Sequence, residues 1–157
     1  MKRAQPVLVA AGVALLVALV GGSMTDTGPW YQALHKPSWQ PPGWAFGPAW
    51  TLIFALTVLS AVRAWRAAPG PGARRAVVAL YCLNGLLNVL WSAVFFALRR
   101  PDQALVEVVF LWLSVLVPLL VVRRWSVSAA WLLVPYLVWV AFAGWLNLEV
   151  VRLNGPF

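Results

Sequence analysis

Eleven tryptophans in 157 residues are the side chains with the most chemistry to offer. An indole stacks on flat ligands, donates one N–H and anchors helices at a lipid–water interface. Trp50 and Phe54 stand one helical turn apart. Trp139, Ala143 and Asn147 recur at steps of four, so they share one face of a helix. Ala143 is small among large neighbours, which leaves room for a ligand ring. Asn84, Asn88 and Ser92 recur at the same step, bordered by Tyr81, Trp91 and Phe95. Amides at hydrocarbon depth are costly unless paired, and they face a bundle interior. They either bond a neighbouring helix, worth about 0.6 kcal/mol per contact, or touch a ligand. The chemistry in prospect is stacking and hydrogen bonding around a flat guest. With one histidine, one cysteine (Cys82), no CxxC and no HExxH, no protein-built metal site is expected. No general acid, base and nucleophile stand together. Cys82 reads as a small buried apolar residue.

Helices must position these residues, and the composition says they lie in a membrane. Charged residues make up 10% of the chain against 62% hydrophobic, far below the roughly 25% charge of a soluble domain. Five stretches are nearly free of charge, and each approaches or exceeds the ~20 residues that cross about 30 Å of hydrocarbon. They predict spans at about 6–24, 46–66, 76–98, 102–123 and 127–152. None alternates apolar and polar residues as barrel strands do, so the expected class is an all-α integral membrane bundle. Lys2 and Arg3 ahead of an apolar run ending in Gly21, Gly22 and Ser23 resemble a secretory signal. The four further spans favour a retained first helix. Its Ala10, Ala14, Ala18 and Gly22 form a smooth stripe where a neighbour can approach.

The net charge of +8 follows the membrane rather than a nucleic acid. With five spans, Lys2, Arg3, Arg63, Arg66, Arg74, Arg75, Arg123 and Arg124 fall on one side. Lys36, Arg99, Arg100 and Arg152 fall on the other. The positive-inside rule then puts the N-terminus in the cytoplasm. Helical spans favour the bacterial cell membrane over the outer membrane. Pro101 opens the fourth span, with Asp102 and Glu107 toward the positive end of its dipole. Pro118 and Pro135 each remove a helical hydrogen bond and predict kinks in spans four and five. Glu149 can pair with Arg152 three residues on.

The first connection, 25–45, is long for a structureless loop, and such loops are usually functional. Thr27 and Pro29 predict a short helix over 29–35 that Pro37 ends. Pro37, Pro41 and Pro42 stiffen the rest of the connection into an extended segment. Trp30, Tyr31, Trp39 and Trp44 punctuate it. Two readings stand: an interfacial aromatic belt, or a lid over the mouth of the bundle.

The segment WYQALHKPSWQPPGWAFGPAW, Trp30 to Trp50, resembles the signature of the TspO/MBR family, the bacterial tryptophan-rich sensory proteins and mitochondrial translocator proteins. Asn84, Asn88, Trp91, Phe95 and Phe96 fit the same pattern, as do PYLVWVAFA from Pro135 to Ala143 and Leu146-Asn147. The resemblance covers nearly the whole chain, as one domain over 1–157. It implies five transmembrane helices, often as a homodimer, with a pocket that the first loop closes. It implies binding of porphyrins, protoporphyrin IX or haem, and of benzodiazepine-site ligands. On that basis the expected ligand-binding residues are Tyr31, Trp39, Trp50, Phe54, Asn84, Asn88, Trp91, Phe95, Trp139, Ala143 and Asn147. No obligatory cofactor is expected; a porphyrin would be a ligand. Sterols are bound in the mitochondrial branch, through a motif with a central tyrosine. Leu148 stands at that tyrosine position here, while Arg152 remains, so a bacterial-type member is the better match.

Three functions are consistent with the resemblance. The first is a tetrapyrrole-binding sensor or regulator. The second is light- and oxygen-dependent porphyrin breakdown, for which Trp50 and Trp139 would be the catalytic residues. The third is a porphyrin transporter, which would usually carry internal repeats and midplane ion-coupling charges. Neither is evident, since Glu107 is the only acid well inside a span. The dimer face is open between the small stripe of span one and span three.

Overall fold

Proline, apolar length and short connections lay out the helices. The computed structural model describes residues 4–157. Lys2 and Arg3, part of the charge bias above, lie outside them. Among the described residues there are helices and no strand. The long helices are α1 (Gln5–Met24), α3 (Phe46–Ala67), α4 (Pro71–Ser92), α5 (Pro101–Val122) and α7 (Val134–Asn154). Two short helices join them: α2 (Pro29–Ala33) in the first connection and α6 (Val127–Trp131) ahead of α7. Five of the resulting segments are long and apolar enough to cross a bilayer. The protein is a multi-pass integral membrane protein.

Proline starts several helices because the missing N–H falls where the first turn has no acceptor anyway. Pro29, Pro71 and Pro101 each occupy the first helical position. The third span therefore begins at Pro71, ahead of the expected 76, because the glycine–proline turn before it already supplies a helix start. Pro135 corrects an expectation in the same way. The fifth span is not kinked at Pro135 but interrupted ahead of it, between α6 and α7, and Pro135 sits in the first turn of α7. There its missing N–H falls in the first turn, where α7 itself offers no acceptor. Pro118 does lie inside α5.

The bundle closes in the order α1, α3, α7, α5, α4, with α6 set between α3 and α5. The α4–α5 and α5–α7 interfaces are the most extensive, and α3 and α7 meet only lightly. Helix α5 is the most enclosed and α1 the most exposed. Small residues set the close approaches. A Cβ on Gly85 of α4 would stand 2.8 Å from Val17 Cγ2 of α1, so only glycine fits that crossing without a shift. A Cβ on Gly144 of α7 would meet Val108 of α5 at 3.4 Å. Cys82 is exposed on α4 rather than buried. The buried face of α4 is the one that carries Asn84, Gly85, Asn88 and Ser92.

Buried polar pairs lock the helices. Ser60 of α3 has its Oγ 2.6 Å from the Tyr81 hydroxyl and donates to the Ala129 carbonyl at 2.7 Å. That one hydroxyl ties α3, α4 and α6. Arg152 and Glu149 form the expected pair at 2.8 Å.

Candidate functional site

Two aromatic groups gather at the end of the bundle reached by the first connection. Helices α3 and α7 supply the first. Trp50 stacks on Phe54 with centroids 5.5 Å apart, and meets Trp139 edge-on at 6.3 Å and Tyr136 at 6.0 Å. Phe46 and Phe142 flank Trp139 at 5.8 and 5.6 Å. Helix α4 supplies the second group. Trp91 stacks on Phe95 at 5.1 Å and meets Phe96 at 6.0 Å. Residues 93–97 form a wide π turn, in which Leu98 N–H bonds Ala93 O at 2.9 Å. The extra residue in that turn lets both Phe95 and Phe96 reach the tryptophan, and such turns are frequent at functional sites. Trp50, Trp91 and Trp139 all pack against one buried core that includes Val108, Leu111, Tyr136 and Val140.

The first connection is docked over these groups. From α2, Trp30 meets Phe95 edge-on at 6.2 Å and Tyr31 meets Phe96 at 5.5 Å. Lys36 Nζ donates to the Tyr31 and Leu34 carbonyls at 2.6 and 3.3 Å and lies 4.4 Å from the Tyr31 ring centroid. It thereby adds a charged donor at the end of a short helix, where the Tyr31 carbonyl otherwise accepts, among the described residues, only from the Leu34 N–H at 3.3 Å. Trp39 rests on Trp145 at 4.7 Å and Phe142 at 5.9 Å. A reciprocal latch fastens the centre. The His35 backbone N–H donates to Asn154 Oδ1 at 2.7 Å, and Asn154 Nδ2 donates back to the His35 carbonyl at 2.8 Å. Asn154 also donates to Val150 O at 2.8 Å, which fixes its amide on α7. The contacts seat Trp30, Tyr31 and Trp39 on α7 and the end of α4 as a lid would be seated, while Trp44 is exposed, as a belt residue would be. Burial of Tyr31, which packs on Phe96, holds its phenol above the ordinary pKa of 10.0, partly offset by Gln40.

The amides of α4 do structural work in this arrangement. Asn84 Nδ2 donates to Ser114 Oγ of α5 at 2.9 Å, and Asn88 Nδ2 donates to the Tyr136 hydroxyl of α7 at 3.0 Å. Asn147 Nδ2 donates to the Pro101 carbonyl at 3.0 Å, and its Oδ1 is buried without a partner among the described residues. Ala143 is half-buried on the face of α7 that carries Trp139. The indole N–H groups of Trp91 and Trp139 are likewise buried without an acceptor among the described residues.

Open volume lies beside this cluster. A cavity of about 400 Å³ runs between α1, α3 and α4, lined chiefly by apolar side chains and by Thr57, Tyr81 and Cys82. Of the expected ligand residues, Phe54 and Asn84 line it. Phe54, stacked on Trp50, stands between cavity and aromatic group. The structure thus brings Trp50, Phe54, Trp139, Asn88 and Trp39 around one group. Tyr31, Trp91 and Phe95 sit around the other, and Asn147 stands at the α5 start.

Sequence reasoning passed over several members. Phe46, Tyr136 and Phe142 show only their places within the two family-like runs, Trp30 to Trp50 and Pro135 to Ala143. His35 and Asn154 are 119 residues apart and meet only through the fold.

Comparison with known proteins agrees with the geometry. The model of the TspO/MBR family matches residues 8–153. The chain is 37% identical to the tryptophan-rich protein TspO of Chlorobaculum tepidum, covering 91% of this chain and 92% of that one. It is 38% identical to the tryptophan-rich sensory protein of Cereibacter sphaeroides, over 85% and 82% of the two chains. It is 34% identical to the translocator protein of Bos taurus, over 96% and 93%.

Proposed function

The chain belongs to the TspO/MBR family, and from that premise we propose that it binds porphyrins, protoporphyrin IX or haem, beneath the lid and senses or regulates tetrapyrroles. Benzodiazepine-site ligands would share the site. The observation that carries the reading is the lidded aromatic enclosure with unpaired donors. Trp50 and Trp139 stand 6.3 Å apart under the first connection, and the Trp91 and Trp139 N–H groups have no acceptor among the described residues. Flat faces suit a macrocycle, and an unpaired indole N–H suits a polar edge group of the ligand. Hydrogen-bond donors left bare in a hydrocarbon environment cost free energy, so a ligand that accepts from them is favoured.

The same pair of indoles favours one second reading. An excited porphyrin generates reactive oxygen, and an electron-rich indole within van der Waals reach can be oxidised or donate an electron. Trp50 and Trp139 would then be the catalytic residues of light-dependent porphyrin breakdown.

One titration separates these. Protoporphyrin IX is added to the detergent-purified protein, with tryptophan fluorescence and porphyrin absorbance followed in darkness and then in light. Wild type is run beside Trp50→Phe and Trp139→Phe. Saturable quenching with a porphyrin band stable to light supports binding and sensing. Light-driven loss of the band that needs both tryptophans supports breakdown. Absence of saturable quenching removes both readings.

A further inference from the structure

The cavity between α1, α3 and α4 lies on the far side of Phe54 from the aromatic group and has a chemistry of its own. It is about 400 Å³ and reaches from Gln5 to Val17 along α1, which is ~18 Å at 1.5 Å per residue. At its inner end α1 packs closely on α4, where Val17 meets Gly85 and Gly21 approaches Asn88 and Ser92. Toward the start of α1 the facing residues are Val9, Ala10, Val13 and Ala14, too short to fill the gap. The smooth stripe of the first span therefore lines a space there instead of a helix contact. The polar groups in the walls are already engaged. Thr57 donates to the Ile53 carbonyl, the Tyr81 hydroxyl bonds Ser60, and the Asn84 amide bonds Ser114. Little is left inside for a polar ligand, and an apolar cavity of this kind does not hold water. Hydrocarbon is the medium that fits it.

The outer end of the cavity is basic. Gln5, Trp65 and Val77 mark it, at the end of the bundle opposite the first connection. Arg74 holds its guanidinium carbon 5.6 Å from the Trp65 ring centroid. Arg74 also heads the face of α4 that continues at steps of four through Val78 and Cys82, both of which line the cavity. Arg63 and Arg75 are exposed at the same end. No acid offsets them there. Of the four acids in the chain, Asp26 is in the first connection, Asp102 and Glu107 are in the first turns of α5, and Glu149 is near the end of α7. All four are toward the lid end, and Asp102 and Glu149 are paired with Arg100 and Arg152. Topology alone collects arginines at one end of a membrane protein. It does not place one of them on an aromatic wall at the mouth of an apolar cavity.

We propose that this cavity is a lipid site, which takes one acyl chain of an anionic phospholipid and pairs the lipid phosphate with Arg74 at the mouth. Basic pockets between membrane helices hold acidic headgroups by charge. A volume of about 400 Å³ over ~18 Å is roughly 22 Å² in mean cross-section, room for a single hydrocarbon chain, whereas an α-helix is about 10 Å wide. A helix of a second copy therefore does not enter. A free phosphate would meet Arg74 but leave the apolar walls unused. The site stands whether or not porphyrins bind beneath the first connection.

Cys82 supplies the readout, because it is the one cysteine and it lines the cavity. Full-length protein in a nonionic detergent is titrated with phosphatidylglycerol or with phosphatidylcholine of the same chains, and the rate of Cys82 alkylation by N-ethylmaleimide is followed. Phosphatidylglycerol should slow alkylation saturably, at a concentration at least about fivefold below phosphatidylcholine, the factor expected of one arginine near an acidic headgroup. Arg74→Gln should bring the two lipids within about twofold, whereas Arg74→Lys, which keeps the charge, should keep the preference. Ala10→Leu extends into the cavity and should slow alkylation without lipid and remove further protection by lipid. Thermal unfolding confirms that each variant is folded, and the arginine variants serve alone if Ala10→Leu is unstable. Alkylation that no lipid slows, equal protection by both lipids in wild type, or an undiminished preference in Arg74→Gln overturns the inference. Protection by glycerol 3-phosphate alone, which has the phosphate without the chains, overturns it too. Protection that needs no lipid and grows with protein concentration identifies a second copy as the cover and overturns it as well.

Discussion

Removing the latch between the lid and α7 should open the lid without unfolding the bundle. In Asn154→Ala the two backbone-directed bonds between elements vanish, His35 N–H to Oδ1 at 2.7 Å and Nδ2 to the His35 carbonyl at 2.8 Å, together with the longer contact of His35 Nδ1 to Oδ1 at 3.3 Å. A net hydrogen bond contributes about 0.5–1.5 kcal/mol. His35 is exposed, so water replaces both partners readily and the lower half of that range applies. The expected cost of about 1–2 kcal/mol raises the open population roughly 5–30-fold. The aromatic seats of Trp30, Tyr31 and Trp39 remain, so opening stays local. Native-state hydrogen exchange reads this directly, because the His35 amide is itself the latched donor. Its exchange should accelerate by that factor, while amides in the middle of α5 keep their rates. Asn154→Asp keeps an acceptor for His35 and loses the return donor, so it should fall between. Unchanged exchange at His35 in Asn154→Ala would refute the reasoning. Acceleration spread evenly over α5 would show that Asn154 supports the whole bundle instead.

Other consequences rest on single contacts. Gly85→Ala should lower the unfolding temperature, with overpacking costing about 1–3 kcal/mol, because its Cβ falls 2.8 Å from Val17 Cγ2. Adding Val17→Ala should restore much of the loss, whereas Gly12→Ala, with nothing near its added Cβ, should be close to neutral in melts. Ser60→Ala orphans the Tyr81 hydroxyl and should cost about 1–3 kcal/mol; pairing it with Tyr81→Phe removes the orphan and should recover part of that. Burial raises the Tyr31 pKa above its free value of 10.0. Its contribution to lid docking is therefore full below about pH 10 and is lost as pH rises through the raised folded value. A near-ultraviolet phenolate titration of wild type against Tyr31→Phe should show the missing transition above the ordinary tyrosine range, and a transition at or below it would contradict the burial.

Residue types alone carried the class of this protein. Charge-free runs long enough to cross a bilayer force helices, since hydrocarbon offers the backbone no partners. The order of the tryptophan, asparagine and proline motifs carried the family. Steps of four put Trp139, Ala143 and Asn147 on one face, and helix geometry is local enough to be read that way. The start of α2 at Pro29 was legible for the same reason.

Long-range choices were not legible. A proline marks either a kink or a start, and Pro135 became a start only because α6 turns ahead of it. Cys82 looked like a buried residue by type, yet the rotation of α4 about its own axis turned it outward. The π turn at 93–97 has no pattern that announces it, since it arises where packing outweighs the loss of regular hydrogen bonds. His35 and Asn154 have no signal at all until α7 ends beside the lid. Glu107 read as an acid near a helix end. Only the packing of α4 and α7 on α5 shows that it is buried without a hydrogen-bond partner among the described residues. Periodicity within one helix is a property of the chain, whereas the rotation and register of one helix against another are set by close packing of all five together.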